Sequence, residues 1–476
     1  MKNTNITTEE TVKLLMQPAY KDSNAAHAAV VALVLAYLDT KPDAMKDGDE
    51  QLIVPPFLPA LEYLTGAGKN DLEDAYTRVS RACSEWQGLN KHLQTILDPI
   101  LSFTHWESLS IAQLHKLCAA LCKCREEMDA ATYGQFIQEA ILSLPDAYLG
   151  TPQSLCAIVE KLVTSYRAKS GGKRVYDAFC LSGSLLVPFG KTEGMEVCGE
   201  EVNVYNAALA RLKMRILGHD ESVIHLSDAI THPTFTRGCR LEQFDFVVSH
   251  LPFGTIRNVW ALENDKYKRF DEELPAARNI GEWPFLIHML AQAKEAHGTV
   301  MAIVSQATLF RTDRAAKSIR QHMSENNMLE AVVLLPGGTL LPYTAVPPVL
   351  LVLRKGRTCR HVRFVDAGRM GTKDKRLVRL SPHDVERICY LALSQEDEPG
   401  VARSVSLDEI AAQSYIWDVG RYITRSVQMQ EKVDPTQLAE DIHRLRAAIA
   451  DKQARLDALL AEWENARQLP NTRRRK

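Results

Sequence analysis

The spacing of hydrophobic residues changes along the chain, and the change predicts two kinds of structure. Up to about residue 145 the apolar positions follow helical spacing, as at Leu114, Leu117, Leu121 and Met128, which predicts a helical domain. From Arg174 onward, short apolar segments alternate with helical ones, such as 203–217 and 283–296. The predicted strands are Arg174–Ala178, Met195–Glu200, Val223–Leu226, Phe244–Ser249, Thr299–Ser305 and Leu329–Leu335. Strands that alternate with helices predict an α/β fold with a Rossmann-like, doubly wound parallel sheet.

This pattern predicts four regions. A helical domain is expected over residues 1–145, an α/β domain over 146–370, a loop-rich and helical region over 371–430, and a coiled-coil helix with a basic tail over 431–476. Within the α/β domain, Val349–Leu353 and His361–Val365 are expected to extend one edge of the sheet as a hairpin. A helix is expected to begin near Pro152, because proline suits a first helical turn.

The last region carries a heptad pattern of apolar residues. The residues alternate spacings of four and three, with Lys452 as the one polar member: Leu438, Ile442, Leu445, Ile449, Leu456, Leu459 and Trp463. Such a seam is typical of a coiled coil, and a polar residue within it tends to set register and partner choice. The seam is therefore a candidate partner-binding surface, and packing against the chain's own helical domain is the alternative.

The net charge of −2 argues against a chain that binds nucleic acid through its overall charge. Contacts with DNA would need local basic patches or a partner subunit. Three candidate patches are the group Lys266, Lys268 and Arg269, the group Arg311, Arg314, Lys317 and Arg320, and the tail 473–476. Each patch can equally be an ordinary solvated face.

The ten cysteines show no paired spacing, and no export signal or membrane-spanning run is visible, so we expect reduced thiols in a cytoplasmic protein. His115, Cys118 and Cys122 share one helical face. A zinc site needs four ligands and no second ligand cluster is evident, so a stripe facing the core is favoured and no metal is expected.

Three acidic positions follow predicted strands, where open α/β sheets bind their ligands. Asp177 precedes the small-residue turn Leu181-Ser-Gly183, Glu200-Glu201 ends the second strand, and Asp228 follows the third. In Rossmann-like folds, acids at these places reach the ribose and adenine of a nucleotide cofactor. Many unrelated proteins share this spacing, so it does not by itself define a function.

Longer motifs are more specific. Val175-Tyr-Asp-Ala-Phe-Cys-Leu-Ser-Gly-Ser-Leu-Leu-Val187 resembles the pattern Val-Tyr-Asp-Pro-Ala-Cys-Gly-Ser-Gly-Gly-Phe-Leu-Val of type I modification subunits, which are N6-adenine DNA methyltransferases. Pro284–Leu290, Leu329–Pro336 and Val405–Ile410 are similar to later segments of that family. The resemblance implies S-adenosylmethionine as cofactor, with Asp177, Cys180, Ser182, Gly183, Glu201 and Asp228 around it. It also implies double-stranded DNA, a DNA-recognition subunit, a second copy and a restriction subunit as partners.

The departures from the family pattern fall on the expected ligand-contacting positions. The family's Asn-Pro-Pro-Phe motif, which holds a flipped adenine, is here His250-Leu251-Pro252-Phe253. Phe253 can still stack on a base and the Leu251 carbonyl can still accept, but an imidazole has at most one acceptor nitrogen. The family's loop glycines are replaced by Leu181 and Ser184, its Pro-Ala pair by Ala178-Phe179, and the Phe-Tyr pair that it has before Thr-Pro by Leu149-Gly150.

Because these departures cluster while scaffold positions match, the sequence predicts a methyltransferase fold without catalytic activity, acting as a structural, DNA-clamping or partner-binding subunit of a bacterial restriction or defence complex. Two alternatives remain. One is an active adenine-N6 methyltransferase with a divergent pocket, and the other is a protein-interaction module that no longer acts on DNA.

Overall fold

The computed structural model describes residues 23–40, 95–97, 99–100, 111–144, 151–220, 223–253, 265–270, 281–341, 344–424 and 435–468. The chain divides into two units, residues 1–424 and 425–476, each described by itself. The basic tail 473–476 lies outside the described residues. Among the described residues, no helix combines the length and the apolar character needed to cross a membrane.

In the N-terminal part of the first unit, the described segments are mainly helical. Its described helices are α1 (Ser23–Thr40), α2 (Ile111–Glu127) and α3 (Ala130–Leu142), and they share one apolar core. Cys118 lies in that core, where burial raises the pKa of its thiol above its usual range. Within the described part of the chain, no group of three or more metal-ligating side chains comes together. Of the stripe of His115, Cys118 and Cys122, Cys118 lies in the core and Cys122 packs against it.

A nine-stranded sheet forms the centre of the first unit, in the order β13-β10-β8-β9-β7-β6-β1-β2-β3. Helix α4 (Gln153–Ser170) precedes it. The strands are β1 (Arg174–Asp177), β2 (Glu196–Glu201), β3 (Ile224–Leu226), β6 (Phe246–His250), β7 (Thr299–Ser305), β8 (Leu329–Leu334), β9 (Pro348–Arg354), β10 (His361–Asp366) and β13 (Ala402–Ser406). The short ribbons β4–β5 (Thr236–Arg237, Arg240–Leu241) and β11–β12 (Thr372–Asp374, Leu377–Arg379) lie outside it. The six predicted sheet strands are confirmed within two residues at each end.

The helices that cover this sheet are α5 (Val187–Gly190), α6 (Val204–Ile216), α7 (Trp283–Ala291), α8 (Ala307–Phe310), α9 (Arg314–Glu325), α10 (Pro382–Leu393), α11 (Leu407–Ala412) and α12 (Val419–Tyr422). Helix α6 matches its prediction, with Asn203 as the capping residue. Helix α7 is shorter than the predicted 283–296. The helix ends because the backbone groups that follow it bond to Phe244 instead. The Phe244 N–H donates to the Gln292 carbonyl, and the Phe244 carbonyl accepts from the Lys294 N–H.

The predicted hairpin of β9 and β10 at the edge of the sheet is wrong. Strand β9 lies between β7 and β8 and is antiparallel to both, whereas β10 is parallel to β8 on the far side. Six of the seven residues of β9 are buried, so both its faces are covered, as expected for an interior strand. The sheet is therefore mixed rather than fully parallel. It also extends past residue 370, because β13 pairs antiparallel with β10.

Two of the predicted surface cations are buried, and the patches that contained them are smaller than expected. Arg320 on α9 is 1% exposed and donates to the carbonyl oxygens of Tyr415 (2.8 Å) and Arg311 (2.7 Å). Arg269 is 5% exposed and is described with the site below. Arg314 and Lys317 remain exposed on α9.

The second unit contains the helix α13 (Pro435–Gln468), which is 34 residues long and includes the whole heptad pattern. The seam residues whose side chains are described are unusually exposed for apolar residues: Ile442 (43%), Leu445 (60%), Ile449 (65%), Leu456 (49%) and Leu459 (58%). The side chains of Leu438 and Trp463 lie outside the described set.

Candidate functional site

The two motifs singled out from the sequence meet at one edge of the sheet. Strands β1 and β6 are parallel neighbours, with Val175 beside Phe246 and Tyr176 beside Val247. Their carboxyl ends, at Asp177 and His250, are therefore adjacent, on what we call the carboxyl edge of the sheet. On one side of β1 lies β2 and on the other β6, so this is the point where the strand order reverses. Ligands of open α/β sheets bind at such a point.

Asp177 ties the two strand ends together. Its buried carboxylate accepts a hydrogen bond from the Ser249 hydroxyl (2.7 Å) and one from the Phe179 N–H (3.1 Å). The first bond joins β1 to β6, and the second starts the turn that follows β1. Asp177 thus organises the loop, a role that is independent of any cofactor.

The loop after Asp177 keeps a glycine-type backbone at Leu181, one of the two positions where the family pattern has a glycine that this chain lacks. Leu181 has φ of 49° and Gly183 has φ of 76°, both in the left-handed region. For a residue with a Cβ, this conformation costs about 1–2 kcal/mol. The Leu181 N–H donates to the Glu201 carboxylate (2.9 Å), which fixes the turn. The loop therefore adopts at Leu181 a backbone conformation that glycine favours, while it carries a leucine side chain there.

A buried lysine lies against the same loop. Lys213 of α6 is 0% exposed and donates to the hydroxyls of Ser182 (3.0 Å) and Ser184 (3.0 Å) and to the Leu144 carbonyl (3.1 Å). Ser184 stands where the family has a glycine, so its hydroxyl contributes to holding the ammonium group. Sequence reasoning missed this contact. Local spacing carries no signal for it, because the lysine and the serine are 29 residues apart.

The acids at the end of β2 are bonded within the chain. The Glu201 carboxylate accepts from the N–H groups of Leu181 and Asn203 (2.8 Å), one on each oxygen. Glu200 is fully buried and accepts from the Tyr176 hydroxyl (3.1 Å) and from the Thr234 N–H (2.7 Å). Glu200 is therefore a structural residue, and Glu201 has only its remaining lone pairs for a ligand.

Asp228, after β3, is also engaged locally. One carboxylate oxygen accepts from the Ile230 N–H (2.9 Å), and the other accepts from the Thr231 hydroxyl (2.8 Å). Cys180 is buried beneath the loop and its N–H donates to the Glu200 carbonyl (2.9 Å). The sequence-predicted cofactor residues therefore do come together at the carboxyl edge, but each is occupied by bonds or packing within the protein.

These residues fit S-adenosylmethionine poorly. The turn is correct, but a leucine side chain stands at the position that glycine leaves open in the family. In addition, both Glu201 oxygens and both Asp228 oxygens already accept hydrogen bonds from the chain. A bound adenosyl group would need to share those acceptors.

His250 is turned into the protein. It is 2% exposed, and its Nδ1 lies 2.9 Å from the Thr151 hydroxyl oxygen. Burial lowers the pKa of His250 to about 4, so the imidazole is neutral at pH 7. Its Nε2 is also buried and has no hydrogen-bond partner among the described residues. The side chain at the position of the family's base-binding asparagine thus exposes neither ring nitrogen.

The tautomer of His250 follows from Thr151. The Thr151 hydroxyl is itself buried, and His250 Nδ1 is its one hydrogen-bond partner within the described part of the chain. A buried hydroxyl without an acceptor is costly, so the Thr151 O–H donates to Nδ1. The ring proton is then on Nε2. In this tautomer Nε2 is a donor, and the imidazole has no lone pair left to accept from an amino group.

The rest of the motif keeps its shape. Leu251 is fully buried, and its N–H donates to the Ile303 carbonyl of β7 (3.1 Å). Pro252 and Phe253 are half-buried, and the Phe253 ring lies edge-to-face with His250 at 5.6 Å between centroids. The Phe253 ring is therefore present at the carboxyl edge, whereas the neighbouring His250 side chain is buried.

Arg269 is buried and holds two segments together, so it is not part of a surface patch. Its guanidinium pairs with Asp265 (2.7 Å) and donates to the carbonyl oxygens of Ala229 (3.2 Å) and Ile230 (2.6 Å) and to His288 Nδ1 (2.9 Å). Burial and the Arg269 charge hold the pKa of His288 well below its usual range. These bonds fix residues 265–270 to the turn after β3. Lys266 and Lys268 remain exposed.

Phe179, at the second position of the family's Pro-Ala pair, also packs within the protein. Its ring lies edge-to-face with Phe285 of α7, at 4.8 Å between centroids. The ring fills space between the loop and α7 and adds bulk beside the turn.

The sheet, its reversal of strand order and the loop after β1 together define a Rossmann-like methyltransferase fold. A family model of N-6 DNA methylases matches residues 147–431, and the chain belongs to that family. It is 28% identical over 301 residues to the methylase subunit of the type I restriction enzyme MpnII from Mycoplasma pneumoniae, which covers 59% of this chain and 54% of that protein.

A second relative is the HindI methylase subunit of a type I restriction enzyme from Haemophilus influenzae, 23% identical over 329 residues, or 66% of this chain and 71% of the relative. The chain spans about half the length of several curated relatives it matches. Among solved structures, the methyltransferase subunit of the type I system of Streptococcus thermophilus has the same fold, with a TM-score of 0.61 and 19% identity. That alignment covers 88% of this chain and 100% of the other.

Proposed function

We propose that this chain is a non-methylating modification-type subunit of a type I-like DNA restriction or defence complex, in which it serves as a structural and partner-binding component. The observation that carries the proposal is His250. The family's asparagine offers an acceptor to the adenine amino group, whereas this imidazole is buried and its Nδ1 lies 2.9 Å from the Thr151 hydroxyl oxygen. Removing one well-placed polar contact at such a site costs about two to three orders of magnitude in rate.

The cofactor loop supports the same conclusion. Leu181 brings a side chain to the position of a glycine, and Ser184 contributes its hydroxyl to Lys213. Each substitution is stabilised by contacts within the protein. The loop has therefore been rebuilt as part of the scaffold, and S-adenosylmethionine is expected to bind very weakly or not at all.

The exposed seam of α13 is the proposed contact with a helical partner. Five apolar residues along one heptad stripe are 43–65% exposed, and such a stripe is stabilised when a second helix covers it. The occupant that we propose is a helix of a DNA-recognition subunit. Lys452 within the seam would sit opposite its own copy in a parallel homodimer, and the resulting repulsion favours a different chain with an acidic residue there.

The second candidate function is an active adenine-N6 DNA methyltransferase with a divergent pocket. One observation favours it: Leu181 and Gly183 retain the positive φ values of a cofactor-binding turn. In this alternative, Phe253 would stack on the flipped base and the Leu251 carbonyl would accept from its amino group. S-adenosylmethionine would then bind despite Leu181.

Calorimetric titration of S-adenosylmethionine into the full chain separates the two functions. We expect no binding at low micromolar concentration, and no methyl transfer to duplex DNA when the recognition-type partner is present. The double variant Leu181→Gly/His250→Asn, which restores two family residues, serves as the comparison. A dissociation constant in the low micromolar range for the unaltered chain, together with methyl transfer, would establish the enzyme instead.

A further inference from the structure

The ribbon β11–β12 is a basic hairpin in the segment after β10. Thr372 pairs with Arg379 and Asp374 pairs with Leu377, which leaves Lys375 and Arg376 as the two-residue turn. Lys375 has φ of 54°, as two-residue hairpin turns require. All residues from Thr372 to Arg376 are exposed.

The hairpin concentrates positive charge in a chain whose net charge is −2. Between residues 369 and 379 the only acid is Asp374, and the basic residues are Arg369, Lys373, Lys375, Arg376 and Arg379. Each of the five is exposed, and within the described part of the chain none of their side chains forms an ion pair or a hydrogen bond. By contrast, the buried Arg269 and Arg363 are paired with Asp265 and Asp397. The charge of the hairpin is therefore available to a partner.

The topology places this hairpin on the same edge of the sheet as His250. Strand β10 is parallel to β8, and β8 is parallel to β7 because β9 is antiparallel to both. Strand β7 is parallel to β6, which ends at His250. The segment that follows Asp366 at the end of β10 thus leaves the sheet at the carboxyl edge.

The hairpin is held to that edge by the turn that follows β8. The Val378 N–H donates to the Gly338 carbonyl (3.2 Å), and a Cβ at Gly338 would collide with the Arg376 carbonyl oxygen. Gly338 has φ of 89°, which only glycine adopts readily. The close backbone approach fixes the direction in which the ribbon projects. A fixed ribbon loses little conformational entropy when it binds a partner.

We propose that the β11–β12 hairpin is a contact for the phosphate backbone of duplex DNA at the carboxyl edge. Unpaired lysine and arginine side chains release counterions when they neutralise phosphates, and a two-stranded ribbon has the width that the DNA major groove admits. The inference rests on the proposed place of the chain in a DNA-binding complex. It does not depend on whether the chain transfers methyl groups.

The test is fluorescence anisotropy of a labelled 30-base-pair duplex with the full chain, in buffers of about 20–200 mM salt. The variant Lys373→Gln/Lys375→Gln/Arg376→Gln removes three charges from the hairpin. The matched control is Lys169→Gln/Lys173→Gln/Lys191→Gln, which removes three exposed charges just before β1 and β2, at the opposite edge of the sheet. Both triple variants keep the buried core intact.

We expect the hairpin variant to weaken binding about ten- to hundredfold at low salt and to reduce the slope of log affinity against log salt by about three. The control should change the affinity by no more than about twofold and should leave the slope unchanged. Equal losses in both variants would overturn the proposal, as would an unaltered chain that fails to bind at 20 mM salt. If the hairpin variant keeps DNA affinity but loses binding to phosphatidylserine vesicles, the surface binds lipid and the proposal is wrong. A methyl-transfer assay is independent of all these outcomes.

Discussion

The Lys213 ammonium lies 3.0 Å from the Ser184 hydroxyl, and this bond joins α6 to the loop that follows β1. Two positions that distinguish this loop from the family pattern are therefore bonded to other parts of the protein. Ser184 is bonded to Lys213, and the Leu181 N–H donates to Glu201. His250 likewise forms a hydrogen bond with Thr151. The departures from the family pattern are thus accompanied by specific contacts.

The first prediction concerns that bond. Ser184→Gly should lower the free energy of unfolding by about 1–2 kcal/mol, because the buried ammonium loses one acceptor. Lys213→Met should cost about 1–3 kcal/mol, since two hydroxyls and a carbonyl lose their donor. The coupling is measured from the double variant in a double-mutant cycle by urea unfolding. Lys169→Met, at an exposed position, is the control, and additive effects of the two substitutions would contradict the assignment.

The second prediction concerns the close packing of the loop against α6. Gly183→Ala should destabilise the protein more than Gly218→Ala. Both residues have positive φ, 76° and 85°, but a Cβ at Gly183 would lie 3.1 Å from the Ala210 Cβ, whereas Gly218 has open space around it. Conformational strain of about 1–2 kcal/mol is common to both, and the steric term adds roughly 1 kcal/mol at Gly183. Thermal unfolding of the pair measures the difference, and equal melting temperatures would refute the close approach.

The third prediction follows from the lowered pKa of His250. Between its ordinary pKa of about 6.5 and the folded value of about 4, the unfolded chain binds a proton that the folded chain does not. Stability is therefore complete above pH 6.5 and falls as the pH drops toward 4, by up to roughly 3 kcal/mol from this group. His250→Asn should remove that part of the pH dependence, whereas His383→Asn, at an exposed position, should not. Urea unfolding at pH 7.5 and pH 5 measures it, and identical pH profiles for the unaltered chain and His250→Asn would contradict the burial.

The fourth prediction concerns α13. Truncation after Gln430 should leave a folded chain that no longer co-purifies with a recognition-type partner. Leu445→Asp should have the same effect, because it places an unpaired charge in the seam. Ala447→Asp, which adds the same charge outside the seam, should leave assembly unchanged. If the truncated chain unfolds, the helix belongs to the chain's own core. If it folds and still assembles, the interface lies elsewhere.

The strands were predictable because each is a run of apolar residues bounded by turn residues, as in Thr299–Ser305, where the first six residues are buried. The position of β9 was not predictable, since the same apolar pattern suits an edge hairpin or an interior strand. Only pairing with β7 and β8 distinguishes them.

The residue types at the site were recognisable, but their contacts were not. The bond between Thr151 and His250 joins positions 99 residues apart, and the bond between Lys213 and Ser184 joins positions 29 apart. Neither pairing has a signal in local spacing. Asp177, Glu201 and Asp228 were placed correctly at strand ends, whereas the intramolecular bonds that occupy them depend on the folded loop.

The position of β9 also has a consequence for synthesis of the chain. Strands β7 and β8 leave the ribosome before β9, yet they meet only through it. Until residues 348–354 have been made, β7 and β8 each lack β9 as a neighbouring strand. The edges that β9 later covers are then open to pairing with other chains. The C-terminal strands β10 and β13 join the sheet beyond β8, so they too depend on β9. Nascent chains that stop in this interval should therefore be clients for chaperones that bind unpaired strands.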